Sequence, residues 1–99
     1  MVLVNPVDIL YVEAESGKTI LHTQEGSLLT QFTLSELEER LSRSGFFRAH
    51  RAYLVNLQHI KEVIPYTRNS YSISLDDEKR TLIPLSKAAA VELREMLKY

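Results

Sequence analysis

Residues 46–57 read FFRAHRAYLVNL, and this run constrains the fold more than any other part of the chain. Its ends have the aromatic and apolar character of buried strand, but Arg48, His50 and Arg51 lie in its middle. One continuous strand would place a cation among core side chains on each face, and burying an unpaired charge costs several kcal/mol. We therefore predict two strands joined by a tight turn at residues 50–52, with Arg51 held outward on a rigid support.

The remaining β-rich runs are short and are separated by turn residues. They cover residues 8–15, 18–24, 27–32, 61–66, 70–75 and 79–85. The turns between them contain Ser16-Gly17, Glu25-Gly26, Arg68-Asn69 and Asp76-Asp77. Connections this short join antiparallel strands, because parallel neighbours need a long crossover. The pattern predicts a mostly antiparallel, β-dominated domain.

Two segments carry helix signals. Residues 33–41 begin with Thr33 and Glu36 at the spacing of a capping box, in which each side chain binds a free backbone N–H of the first turn. Residues 86–98 begin with Ser86 as an N-cap, followed by an alanine run that favours helix. The leucines expected to face the core are Leu34, Leu37 and Leu41 in the first helix, and Leu93 and Leu97 in the second.

Length and composition fit one soluble domain. The chain has 99 residues and no cysteine, so disulfides and thiolate metal sites are excluded. No apolar run reaches the roughly 20 residues of a membrane span, and the N-terminus lacks the pattern of a signal peptide. We expect a cytoplasmic protein without a membrane partner.

Positive charge is concentrated in one part of a slightly acidic chain. The formal net charge is −1, but residues 40–68 hold six Arg or Lys residues and one acid, which gives this segment a charge of +5. A local positive field can attract an anionic partner even where the total charge is near zero. The alternative is an ordinary charged surface without a partner, because charge is often unevenly distributed over small domains.

Enzyme signatures are absent from the sequence. His22, His50 and His59 lack the spacing of metal ligands, no G-x-S-x-G elbow surrounds a serine, and the glycines are far apart. We therefore predict that the protein is not an enzyme and has no catalytic residue, metal site or cofactor.

The central run resembles the hallmark F-x-R-x-H-R-S-Y-L-V-N of the LytTR DNA-binding domain, which is found in bacterial response regulators. The matching residues are Phe46, Arg48, His50, Arg51, Tyr53, Leu54, Val55 and Asn56. Ala52 stands where the family commonly has serine. Residues 8–26, 33–41 and 83–87 also resemble the family, so the resemblance covers nearly the whole chain.

The resemblance implies a mainly β, elongated fold of small antiparallel sheets with two helices, occupying residues 1–99 as a single domain. It implies sequence-specific binding of duplex DNA by edge loops, as the output domain of a two-component response regulator in transcription regulation. The domain would be the C-terminal part of a longer regulator, with a receiver domain on its N-terminal side. It would be monomeric when free and would dimerise on paired direct repeats.

The same resemblance implies three patches of DNA-binding residues. They are Ser16, Gly17 and Lys18 in the first hairpin, His50 and Arg51 in the central turn, and Lys87 at the start of the last helix. His50 either contacts DNA or is a hydrogen-bonded residue that holds the turn. Arg48 is expected to be structural, paired with an acid or lying over the phenylalanines, and Asn56 to bind backbone at a strand end. The alternative function is a protein-interaction or dimerisation module whose basic patch meets an acidic partner.

Overall fold

A computed structural model describes residues 4–68 and 70–97. Its strands are β1 (Ile9–Glu15), β2 (Lys18–Thr23), β3 (Gly26–Thr30), β4 (Phe46–His50), β5 (Tyr53–Asn56), β6 (Ile60–Thr67), β7 (Ser70–Leu75) and β8 (Leu82–Leu85). Its α-helices are α1 (Leu34–Arg40) and α2 (Lys87–Leu97), and short 3-10 turns span Pro6–Asp8, Ser42–Ser44 and Leu57–His59. Two residues of the predicted elements, Asn69 and Lys98, lie outside the described residues.

The strands form two antiparallel sheets. The larger has five strands in the order β3-β2-β1-β5-β4, and the smaller has three in the order β6-β7-β8. The molecule measures 44 × 26 × 26 Å along its principal axes, so it is elongated. The predicted fold class, mainly β with two helices and small antiparallel sheets, is confirmed.

Two hydrophobic clusters cover the two faces of the larger sheet. On one face α1 packs on the sheet, and the buried residues there are Ile9, Val12, Leu34, Leu37, Phe46 and Leu54. On the other face the smaller sheet and α2 complete a second cluster, in which Val55, Ile73, Leu75, Ile83 and Leu93 are fully or almost fully buried. The central strands β1 and β5 are therefore held from both sides.

The β1–β2 hairpin closes through a turn that needs unusual backbone angles. Ser16 has φ of 50° and Gly17 has φ of 78°, so both central residues are left-handed. This is the type I′ geometry, whose twist matches that of the flanking strands. Glycine adopts it without strain, whereas Ser16 is held there by the hairpin. The turn therefore projects stiffly beyond the end of the sheet.

The predicted capping box at the start of α1 is present. The Thr33 hydroxyl accepts a hydrogen bond from the Glu36 N–H at 3.1 Å, and the Glu36 carboxylate accepts one from the Thr33 N–H at 2.9 Å. The hydrogen bond from the Thr33 backbone N–H is the main cause that lowers the pKa of Glu36, and a hydrogen bond with the Thr33 side chain lowers it further. Because the pKa is lower in the folded state, this contribution to stability is present above the ordinary pKa of glutamate. It is lost as the pH falls through the lowered value.

Replacing Thr33 by alanine is expected to lower the free energy of unfolding by about 1 kcal/mol, because one N–H of the first turn loses its acceptor. Urea unfolding of the Thr33→Ala variant measures this loss. The matched control is Ser35→Ala, since Ser35 is exposed in the same turn and makes no capping bond. Equal midpoints for the two variants would contradict a stabilising role for the capping box.

The predicted inward position of Leu97 is wrong. Leu97 is 49% exposed, and Met96 beside it is also exposed. Ala89, Ala90 and Leu93 belong to the buried cluster, which ends there. The last turn of α2 therefore extends past the core that the helix covers.

No helix in residues 4–68 and 70–97 is both long enough and apolar enough to span a bilayer.

Candidate nucleic-acid interface

The predicted break in the central run is confirmed. β4 ends at His50 and β5 begins at Tyr53, and Arg51 and Ala52 form the turn between them. The side chains that enter the core are Phe46, Phe47, Leu54 and Val55, all of them buried. Arg51 is exposed at the tip. The two apolar arms thus hold a cation in solvent on a short turn.

Arg48 lies behind this turn and binds it through separate nitrogens. Its Nε donates to the His50 carbonyl at 3.0 Å, and its Nη2 donates to the Arg51 carbonyl at 2.6 Å. Its Nη1 pairs with the Glu38 carboxylate on α1 at 2.8 Å. The predicted structural role of Arg48, pairing with an acid, is confirmed.

His50 has the hydrogen bond of a turn-holding residue. Its Nδ1 accepts the Ala52 N–H at 3.1 Å, and its ring meets the edge of Tyr53 at a centroid distance of 5.8 Å. In the neutral ring the proton is therefore on Nε2. That nitrogen makes no hydrogen bond to any residue within 4–68 and 70–97. His50 thus holds the turn through its Nδ1, and contact of its Nε2 with DNA stays a prediction.

Two backbone hydrogen bonds bring the three predicted patches to one end of the larger sheet. The Ala14 N–H donates to the Ala52 carbonyl at 2.9 Å, so the β1–β2 turn lies beside the β4–β5 turn. The Ser86 N–H donates to the Ala49 carbonyl at 2.9 Å, so α2 begins next to the end of β4. We call this surface the rim, and it comprises residues 16–18, 50–52, and 86 and 87.

The rim is exposed and carries three cations. Lys18, Arg51 and Lys87 are all exposed, as are Ser16 and Gly17, while His50 is half-buried. Glu15, which lies opposite Lys18 in the register of the β1–β2 hairpin, is an exposed acid at the edge of the rim. All six predicted site residues therefore lie in the same region of the surface. Their contacts with DNA remain predictions.

A polar network stiffens the sheet behind the rim. The Glu13 carboxylate accepts from His22 Nε2 at 2.7 Å, and the Ser27 hydroxyl is 2.9 Å from His22 Nδ1. Burial, and then the nearby charge of Glu13 and a hydrogen bond to it, raise the pKa of Tyr53. The phenol thus keeps its proton opposite Glu13, the strand partner of Tyr53. Hydrogen-bonded side chains link β1, β2 and β3 in this way.

Asn56 binds backbone, as predicted. Its Nδ2 donates to the Ile9 carbonyl at 2.9 Å, and its Oδ1 accepts the Gln58 N–H at 3.0 Å. The side chain is 1% exposed. It therefore belongs to the core and not to the rim, although it stands in the same sequence motif as Arg51.

The sequence pattern did not mark Gln31 and Phe32 as neighbours of the rim. β2 pairs with β3 so that Thr19 faces Thr30, and the exposed residues Gln31 and Phe32 follow at the end of the sheet where Lys18 begins β2. Phe32 packs under the Arg40 guanidinium, 4.3 Å from the ring centroid. The only sequence signal was the meander itself, because its strand order puts the end of β3 next to the start of β2.

A family model described as the LytTr DNA-binding domain matches residues 1–98. The chain belongs to the LytTR DNA-binding domain family. The sensory transduction protein LytT of Bacillus anthracis is 34% identical over 98 residues, covering 99% of this chain and 39% of that protein. The transcriptional regulatory protein YpdB of Escherichia coli K12 is 33% identical over 97 residues, covering 97% and 39%. The chain thus spans about two fifths of the length of these curated relatives.

A solved structure has the same fold as this LytTR domain. It is the LytTr DNA-binding domain of a putative methyl-accepting/DNA response regulator from Bacillus cereus, with a TM-score of 0.88 and 28% identity. The match covers 99% of this chain and 88% of the other. This LytTR domain therefore has the same overall fold as the solved structure, and in this chain that fold consists of the two sheets and two helices described above. The rim lies at one end of the larger sheet.

Proposed function

We propose that this LytTR domain binds duplex DNA sequence-specifically, and that the rim is the surface it uses. The observation that carries this proposal is the convergence of three exposed cations on turns that come from distant parts of the sequence. The hydrogen bonds from Ala14 to Ala52 and from Ser86 to Ala49 fix that convergence through the main chain. A protein that reads DNA needs such fixed positive groups, because contacts to phosphates position it on the duplex and contacts to base edges specify the sequence.

The rim residues have different roles in this proposal. Arg51 reads bases, since its guanidinium extends from the tip of a turn and can bind guanine through paired hydrogen bonds or enter a narrow minor groove. Lys18 and Lys87 bind phosphates as point charges. At Lys87 the N–H groups that open α2 add donors for the same anion. Ser16 and Gly17 bring the hairpin backbone close to the duplex, and His50 donates from Nε2.

The domain acts, in our proposal, as the DNA-binding output domain of a longer transcription regulator. This proposal is supported by the coverage: the chain spans about two fifths of the length of two relatives, one named as a sensory transduction protein and the other as a transcriptional regulatory protein. A receiver domain on the N-terminal side, a cytoplasmic location and dimer formation on paired direct repeats complete the proposal. The free domain is monomeric in this scheme.

Lys87→Ala is expected to weaken binding to selected and scrambled duplexes equally. It should also reduce the slope of log K against log salt by about 0.9, because one phosphate contact is lost. The duplex is first selected from a random pool with the 99-residue chain, and fluorescence anisotropy across a salt series then measures both quantities. Lys79→Ala is the matched control, because Lys79 is exposed in the β7–β8 connection, at the end of β8 far from Ser86.

An unchanged salt slope in Lys87→Ala would remove Lys87 from the interface. A wild-type chain that binds selected and scrambled duplexes equally would contradict sequence-specific binding. A flat salt response would favour the alternative, a module that binds an acidic protein, since counterion release is the signature of phosphate neutralisation.

A further inference from the structure

The carbonyl groups of the β4–β5 turn are all occupied within the protein. The Ala49 carbonyl accepts from the Ser86 N–H and the Ala52 carbonyl from the Ala14 N–H. The two central carbonyls, of His50 and Arg51, both accept from the Arg48 guanidinium. The turn that carries Arg51 therefore has no main-chain acceptor without a donor.

This arrangement matters for an anion approaching the turn. A carbonyl oxygen carries partial negative charge and would repel a phosphate or the acceptor edge of a base. An arginine that donates to two carbonyls offsets their charge and also restricts the rotation of the peptide units between them. Because the guanidinium is planar and rigid, it holds its three acceptors at fixed relative positions, which a lysine ammonium cannot do.

The third acceptor connects the turn to helix α1. Arg48 Nη1 pairs with the Glu38 carboxylate at 2.8 Å, and Glu38 lies one residue after the buried Leu37 that anchors the helix. Arg48 is about one-quarter exposed and Glu38 about one-half. The guanidinium is thus fixed on one side by a helix that packs on the sheet, and on the other side it fixes the turn.

We infer that Arg48 is a positioning residue for DNA recognition: together with Glu38 it sets the orientation of the turn that presents Arg51, without contacting DNA itself. The inference rests on the proposed function of the rim and adds to it a source of specificity. Specificity depends on the orientation of Arg51, whereas non-specific attraction depends only on total charge. Loss of the clamp formed by Arg48 and Glu38 should therefore reduce discrimination between duplexes without reducing general affinity.

The main test is Arg48→Lys, which keeps the positive charge but cannot bind three acceptors. The dissociation constant for the selected duplex should rise about tenfold, which corresponds to losing one or two charge-assisted hydrogen bonds. The dissociation constant for the scrambled duplex and its salt slope should not change. Equal weakening for both duplexes with a smaller salt slope would mean that Arg48 is itself a phosphate contact, which overturns the inference.

A second pair of variants avoids any large change in folding. Glu38→Ala and Glu39→Ala each remove one negative charge from exposed positions of α1, and the Glu39 side chain forms no ion pair with the described residues. Both variants should bind the selected and the scrambled duplex slightly more tightly, and by the same factor, because each has lost one negative charge. Only Glu38→Ala should lower the ratio of selected to scrambled affinity, by about threefold, the value of an exposed ion pair. Equal ratios in the two variants would overturn the role of Glu38 and Arg48.

Hydrogen exchange without DNA separates this inference from the proposed function. The Ala52 amide, which is bound to His50 Nδ1, should exchange faster in Arg48→Lys and Glu38→Ala than in the wild type or in Glu39→Ala. If the wild type fails to discriminate between duplexes, the proposed function fails. In that case the exchange rates still decide whether Arg48 orders the turn, and unchanged rates overturn that claim.

Discussion

Replacing Asn56 by alanine is expected to lower the free energy of unfolding by about 3 kcal/mol, because a buried carbonyl and a backbone N–H lose their partners and a small cavity forms. The Ile9 carbonyl, which accepts from Asn56 Nδ2 at 2.9 Å, lies at the start of β1, and the Gln58 N–H lies in the turn after β5. One side chain thus joins two segments that are 47 residues apart. Urea unfolding measures the loss.

Two further variants locate the cause of this effect. Asn56→Asp keeps an acceptor for the Gln58 N–H but brings a carboxylate against the Ile9 carbonyl, so it should destabilise at least as much as alanine. Gln58→Ala removes an exposed side chain from the same segment and should change stability by less than about 0.5 kcal/mol. A mild effect of Asn56→Ala, comparable to that of Gln58→Ala, would mean that water replaces the lost partners.

Replacing Arg51 by alanine is expected to lower discrimination between selected and scrambled duplexes by about 10- to 100-fold, the range for a side chain that pairs with a base edge. The thermal midpoint should stay the same. The Arg51 side chain is exposed, and only its carbonyl, which alanine retains, binds Arg48. Anisotropy titrations with the two duplexes, together with thermal unfolding, provide both measurements.

Arg43→Ala is the matched control for Arg51→Ala. It removes the same charge from an exposed position in the 3-10 turn before β4, at the opposite end of that strand from the rim. It should leave discrimination unchanged. If Arg43→Ala reduced discrimination as much as Arg51→Ala, total charge and not the rim would explain specificity. A collapse of the thermal midpoint in Arg51→Ala would assign Arg51 to the fold instead of the site.

Local chemistry allowed several features to be predicted from the sequence. The turn at residues 50–52 followed from cations placed between apolar arms, and the capping box of Thr33 and Glu36 followed from spacing alone. Asn56 could be assigned to backbone binding because it stands at a strand end. Each of these predictions could be made from residues close together in the chain, although the Ile9 carbonyl that Asn56 binds lies 47 residues away.

Features that depend on distant residues could not be predicted in the same way. The bond between Ser86 and Ala49 joins residues 37 positions apart, and no pattern in either segment indicates it. Helical spacing predicted the burial of Leu93 correctly, but the exposure of Leu97 depends on where the core ends, which that spacing does not reveal. The two carbonyls that Arg48 binds could be identified only once the turn had been built.

The convergence of the rim has a consequence for how such domains diversify. Main-chain hydrogen bonds, which any residue except proline can donate, set the separation between the hairpin, the central turn and the start of α2. The side chains at positions 18, 51 and 87 can therefore be exchanged without altering the frame that displays them. Under the proposed function, single replacements at these positions would give new target sequences on a scaffold whose dimensions stay constant.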